Sequence, residues 1–164
     1  MLKKIISEIS RVEGALVTAL LGFNVLILFY GVVLRYVFNN APAWPEEMSR
    51  YVMIWIVYLG ASISIEQKSE INIDVLTTLS KSKHLKTGLS LFAKFAGLAV
   101  SIFILVYGVQ FIEVVEDAGM IAASFPAPMY LICLIIPLSG FLMALKYIAT
   151  LSATIMDITR PSKK

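Results

Sequence analysis

Charge is scarce in this chain: Asp, Glu, Lys and Arg make up 15% of 164 residues, against 59% hydrophobic residues. A soluble domain carries roughly 25% charged and 45 to 50% apolar residues, so water is not the main solvent. Histidine and cysteine are scarcer still. His84 and Cys133 each stand alone, which excludes an intrachain disulfide, a thiolate metal cluster and bis-histidine haem ligation within the chain. The net charge of +3 is spread over segment ends rather than gathered in a patch, which argues against nucleic acid. No nucleophile stands beside a base at membrane depth, so the composition describes no enzyme and calls for no cofactor or metal. Basic residues are missing altogether from one connection, residues 113–128, which holds Glu113, Glu116 and Asp117.

What is abundant is long apolar stretches. A bilayer core of about 30 Å needs roughly 20 apolar helical residues per crossing. The pattern predicts an all-α integral membrane protein, a single membrane domain over residues 1–164, with crossings at about 14–34, 46–65, 89–112 and 129–155. The first exceeds the core of a cleavable signal and is read as retained. Pro45 suits a helix start, and Glu46 and Glu47 suit the positive end of the helix dipole. Pro137 should kink the fourth crossing. Between crossings two and three, Ile71, Ile73, Val75, Leu76 and Leu79 alternate with polar residues and predict a short interfacial helix capped by Asp74.

Orientation follows from lysine and arginine placement. Lys3, Lys4 and Arg11 precede crossing one, Lys68, Lys81, Lys83 and Lys86 fill the middle connection, and Lys146, Arg160, Lys163 and Lys164 close the chain. Both termini and the middle connection are therefore expected in the cytoplasm and residues 113–128 outside.

Residues 35–61 carry the most information. Glu46 and Arg50 stand four apart and Glu47 and Arg50 three apart, so both pairs can meet on a helix surface. Glu47, Tyr51, Trp55, Tyr58 and Ser62 form one polar and aromatic stripe along crossing two. Trp44 suits an interfacial belt, whereas Trp55 lies roughly 15 Å along the helix from Pro45, where an indole needs a hydrogen-bond partner and helices to pack against. Arg35, Glu46, Glu47 and Arg50 are expected to form one network at the outer end. Gly14, Thr18 and Gly22, and Ala93, Gly97 and Ser101, recur every four residues as close-packing ladders. Glu13 near the start of crossing one raises the alternative of an autonomous proton-coupled exporter, although its position at the cytoplasmic boundary suits a simple pairing with Arg11 or Lys4. A membrane anchor for a respiratory enzyme is a further alternative.

The run Arg35-Tyr36-Val37-Phe38-Asn39, followed by Trp44, Glu46, Glu47, Arg50, Tyr51, Trp55 and Leu59-Gly60-Ala61, resembles the signature of the small (Q-type, DctQ-like) permease subunit of TRAP, tripartite ATP-independent periplasmic, transporters. Ile71-x-Ile73-Asp74, Pro126, Ile136-Pro137-Leu138 and Lys146 extend the likeness, while Glu70 and Met129 depart from the family's usual histidine and aromatic. The resemblance implies a scaffold subunit of a sodium-driven importer of organic acids, such as sialic acid or C4-dicarboxylates. Its implied partners are a large permease subunit, which carries the substrate, and a periplasmic substrate-binding protein that the small subunit helps dock. Arg35, Trp44, Glu46, Glu47, Arg50, Tyr51, Trp55 and Tyr58 are the candidate partner-interface residues.

Overall fold

The computed structural model describes the backbone of residues 2–79, 83–124 and 126–159 and the side chains of residues 6–66, 88–124 and 126–154. It is all-helical: α1 Leu2–Tyr36, α2 Trp44–Leu79, α3 Lys83–Asp117, α4 Met129–Cys133 and α5 Ile135–Thr159. Four stretches are long and apolar enough to cross a bilayer: Ile6–Tyr36, Trp44–Glu66, Gly88–Asp117 and Met129–Thr154.

The helices pack as a row. α1 lies on α2, α2 on α5 and α5 on α3, with only slight contact between α1 and α5 or α2 and α3. The central pair therefore carries the core. In the most apolar stretches of α1 and α3 only 6% of the residues are buried, against 28% in those of α2 and α4–α5, so the flanking helices keep most of their apolar side chains free for lipid or partner.

Small residues make the α3–α5 seam close. A Cβ on Gly140 would lie 2.7 Å from the Leu105 backbone nitrogen, and one on Gly108 would lie 3.0 Å from the Pro137 nitrogen. Gly97 sits under the Tyr147 ring, and Ser101 is fully buried. This ladder is spent inside the subunit. The α1 ladder is not, since added Cβ atoms on Gly14 and Gly22 would meet nothing within 4 Å.

Pro137 acts where expected. A proline has no N–H to give and its ring would clash with the carbonyl four residues back in a continuous helix, and the crossing divides at Leu134 into α4 and α5. The interfacial segment differs from expectation, because the backbone of Ile71 to Leu79 continues α2 without a break rather than forming a helix of its own. At 1.5 Å per residue α2 is about 54 Å long, well beyond the hydrocarbon core. The side chains of residues 67–87, including Asp74, His84 and the lysines of the middle connection, lie outside the described residues, as do Arg160, Lys163 and Lys164.

α3 ends in a reciprocal pair of bonds around Gly119, which has φ of +59°: Gly119 N–H donates to the Glu116 carbonyl at 2.9 Å and Met120 N–H to Val115 at 3.3 Å. Glycine meets that left-handed position without Cβ strain. The chain then doubles back in a short hairpin, with Ala122 N–H on the Ala127 carbonyl at 2.9 Å and Met129 N–H on Met120 at 3.0 Å.

Two candidate sites at the ends of one stripe

The inward face of α2 is the stripe read from the sequence. Glu47 and Ser62 are buried, and Tyr51, Trp55 and Tyr58 are half-buried between them. A polar site lies at each end.

At the N-terminal end of α2, Glu47 accepts the Tyr51 hydroxyl at 2.5 Å, the Ala123 amide at 2.8 Å and the Ser124 amide at 2.6 Å. One carboxylate thus clamps the α3–α4 hairpin to the first turn of α2, where the helix dipole also favours negative charge. Four residues past Tyr51, the Trp55 indole N–H donates to the Ile132 carbonyl at 3.1 Å. Carbonyls in the last turn of a helix lack intrahelical partners, so the break beside Pro137 supplies the acceptor that a deep tryptophan requires. With their polar ends engaged, Tyr51 and Trp55 line a cleft of about 420 Å³ together with Leu20, Phe23, Met48, Val52, Ala127 and Ile132.

The expected four-member network does not form. Arg35 donates to Glu46 at 2.5 Å across the α1–α2 turn, with both side chains half-exposed. Among the described residues Arg50 reaches only the Glu46 backbone carbonyl, through Nε at 3.4 Å, and Glu47 belongs to the hairpin. Neighbouring positions on a helix point about 100° apart. Glu46 and Arg50 therefore face outward while Glu47 faces in, where backbone amides offer it fixed donors. Trp44 caps the same rim, its ring 5.9 Å from that of Tyr30.

At the other end lies a site that sequence reasoning missed. Glu13 of α1 and Lys146 of α5 form an ion pair with side chains 4% and 2% exposed. Ser62 of α2 completes it: its hydroxyl donates to Glu13 Oε1 at 2.9 Å, and its carbonyl accepts from Lys146 Nζ at 3.2 Å. Glu13 is neither at a solvated boundary nor bound to Arg11, which pairs with Glu8 at 3.1 Å. Enclosed with its own counter-ion, it is not placed as an accessible proton carrier. The available signal was the presence of one acid, one base and the last member of the stripe inside three separate spans.

Metal chemistry has no foothold among the described residues, where no three His, Cys, Asp or Glu side chains gather. Cys133 is buried and free. Across residues 24–156 the sequence matches the family described as tripartite ATP-independent periplasmic transporters, DctQ component. The chain belongs to this family. The family is a transporter component and not an enzyme, and membership in it together with four apolar helices makes the chain a multi-pass membrane protein, which leaves no support for the respiratory-anchor alternative.

Similar proteins include a TRAP transporter small permease protein of Haemophilus influenzae, 32% identical over 46% of this chain and 47% of that protein. The C4-dicarboxylate TRAP transporter small permease protein DctQ of Vibrio cholerae is 30% identical over 58% of this chain and 40% of its own length. The isethionate TRAP transporter permease protein DctMQ of Oleidesulfovibrio alaskensis is 38% identical over 33% of this chain and 8% of its own. The aligned stretches thus span about half of the two small permeases or less.

Proposed function

We propose that the chain is the stationary scaffold subunit of a sodium-driven importer of small organic anions in a bacterial inner membrane. It packs against a large permease subunit that carries the substrate, and it helps dock a periplasmic binding protein at its outer end. Both termini face the cytoplasm, and the 118–128 hairpin faces outward. What carries this reading is the distribution of exposure: only 6% of the residues in the most apolar stretches of α1 and α3 are buried, so each helix packs one narrow seam inside the subunit and keeps a broad apolar face open, as a subunit built to be enlarged by others requires. The cleft beside Trp55 has no polar lining with which to recognise an anion, so the substrate belongs to the partner.

The candidate interface residues divide by direction. Arg35, Trp44, Glu46 and Arg50 form an exposed outer rim suited to partner contact, while Glu47, Tyr51, Trp55 and Tyr58 face inward and hold that rim in shape. The relatives named for C4-dicarboxylate and isethionate support a carboxylate or sulfonate substrate.

Reconstitution tests the proposal. The chain alone in liposomes is expected to move no C4-dicarboxylate, isethionate or sialic acid, whereas the chain with a large permease and binding protein supports sodium-dependent uptake. Uptake by the chain alone, or proton exchange abolished by Glu13→Gln, overturns it.

A further inference from the structure

The Glu13–Ser62–Lys146 site lies apart from the Arg35–Glu46 rim and encloses two charged residues, 3% and 2% exposed, around a fully buried serine. The other ties on α1, the short connection to α2 and the exposed Arg35–Glu46 pair, lie at its opposite end, and the rest of its contact is apolar. Among its described residues only Glu13 and Ile27 are buried, and apolar contact is non-directional. A helix held by greasy contact alone can slide by a turn, 5.4 Å, and bury much the same surface. An ion pair cannot slide with it, because a one-turn shift strands both charges in a low-dielectric interior.

We infer that Glu13, Ser62 and Lys146 form a register pin, a buried charge device that admits a single docking of α1 onto α2 and α5. The completeness of the bonding supports this. Both Glu13 oxygens are engaged, one by Lys146 and one by the Ser62 hydroxyl, and the Ser62 carbonyl takes a second Lys146 proton. A buried pair adds little net stability over apolar residues of the same volume, so its value lies in the arrangements it forbids. Its placement is efficient, because three helices meet at one point far along α1 from the outer turn. From Glu13 to Arg35 is 22 residues, about 33 Å of helix, so a pin at one end governs the register at the other.

That far end offers a readout. A Cβ on Gly31 lies 3.2 Å from the Pro45 Cβ, close to disulfide range. In a Cys133→Ala chain expressed in native membranes, Pro45→Cys is paired in turn with Leu28→Cys, Gly31→Cys or Leu34→Cys and oxidised. The intact site should give the Gly31 product alone. The apolar pair Glu13→Leu with Lys146→Met should still insert, but raise the out-of-register products by about tenfold or more, as expected when a buried polar contact no longer separates registers. The exchanged pair Glu13→Lys with Lys146→Glu should return the Gly31 product to dominance. A Gly31-only pattern in the apolar pair overturns the inference, whether or not the exchanged pair accumulates. No substrate or partner enters the test, so its failure leaves the transport proposal intact.

Discussion

Two interhelical ion pairs among the described residues use the same chemistry in opposite settings. Arg35–Glu46 spans the α1–α2 turn with both side chains about half-exposed, whereas Glu13–Lys146 crosses from α1 to α5 almost sealed from its surroundings. An exposed pair gains little, because high dielectric weakens attraction and ordering two long side chains costs entropy. A sealed pair is a constraint instead, since neither charge can lose its partner without standing alone in low dielectric. Distance does not separate these roles; enclosure does.

The comparison is broken most sharply by removing one charge from the sealed pair. Lys146→Met leaves Glu13 buried with only Ser62 for company and should destabilise the purified subunit by about 3 to 5 kcal/mol, seen as a fall in thermal midpoint in detergent. A loss under about 1 kcal/mol would place this pair in the same class as the exposed one.

A second variant sharpens the contrast on the carboxylate that has no cationic partner. Glu47→Ala removes the acceptor shared by the Ala123 and Ser124 amides while leaving the hairpin's Ala122–Ala127 and Met129–Met120 bonds in place. Hydrogen exchange at those two amides should accelerate by about tenfold or more, the ratio for losing a bond to a charged group, with the crossing helices unchanged. Unaltered exchange would show that the hairpin holds itself.

Arg35→Ala is expected to have the smallest effect. Discounted for exposure, the pair is worth under about 1 kcal/mol to the isolated subunit, so the thermal midpoint should barely move. If the rim of Arg35, Trp44, Glu46 and Arg50 meets a large permease as proposed, co-purification of that partner falls more than stability does. A large fall in stability of the subunit alone would contradict the assignment of Arg35 to the rim.

Much of the fold was legible because its causes are local. Apolar length gave the four crossings, and Pro137 marked the division of the last one. The 3.6-residue period placed Glu47, Tyr51, Trp55, Tyr58 and Ser62 on one face, which the structure turns inward. Periodicity tells which residues share a face but not what that face meets. Spacing thus permitted Glu47 to pair with Arg50, yet the hairpin amides, some 76 residues away in sequence, hold it instead. The two small-residue ladders looked alike, and only the α3 one is used within the chain.

By itself the sequence determined the solvent, the number of crossings, the inward stripe and the family signature, because each follows from composition or from spacing within a single helix. Tertiary structure alone decided that Glu13, Ser62 and Lys146 meet. They lie 49 and 84 residues apart along the chain, and no local rule pairs such distant positions. Burial removes water as a competing partner, so the packing of α1, α2 and α5 turned an acid and a base near span ends into a single enclosed contact.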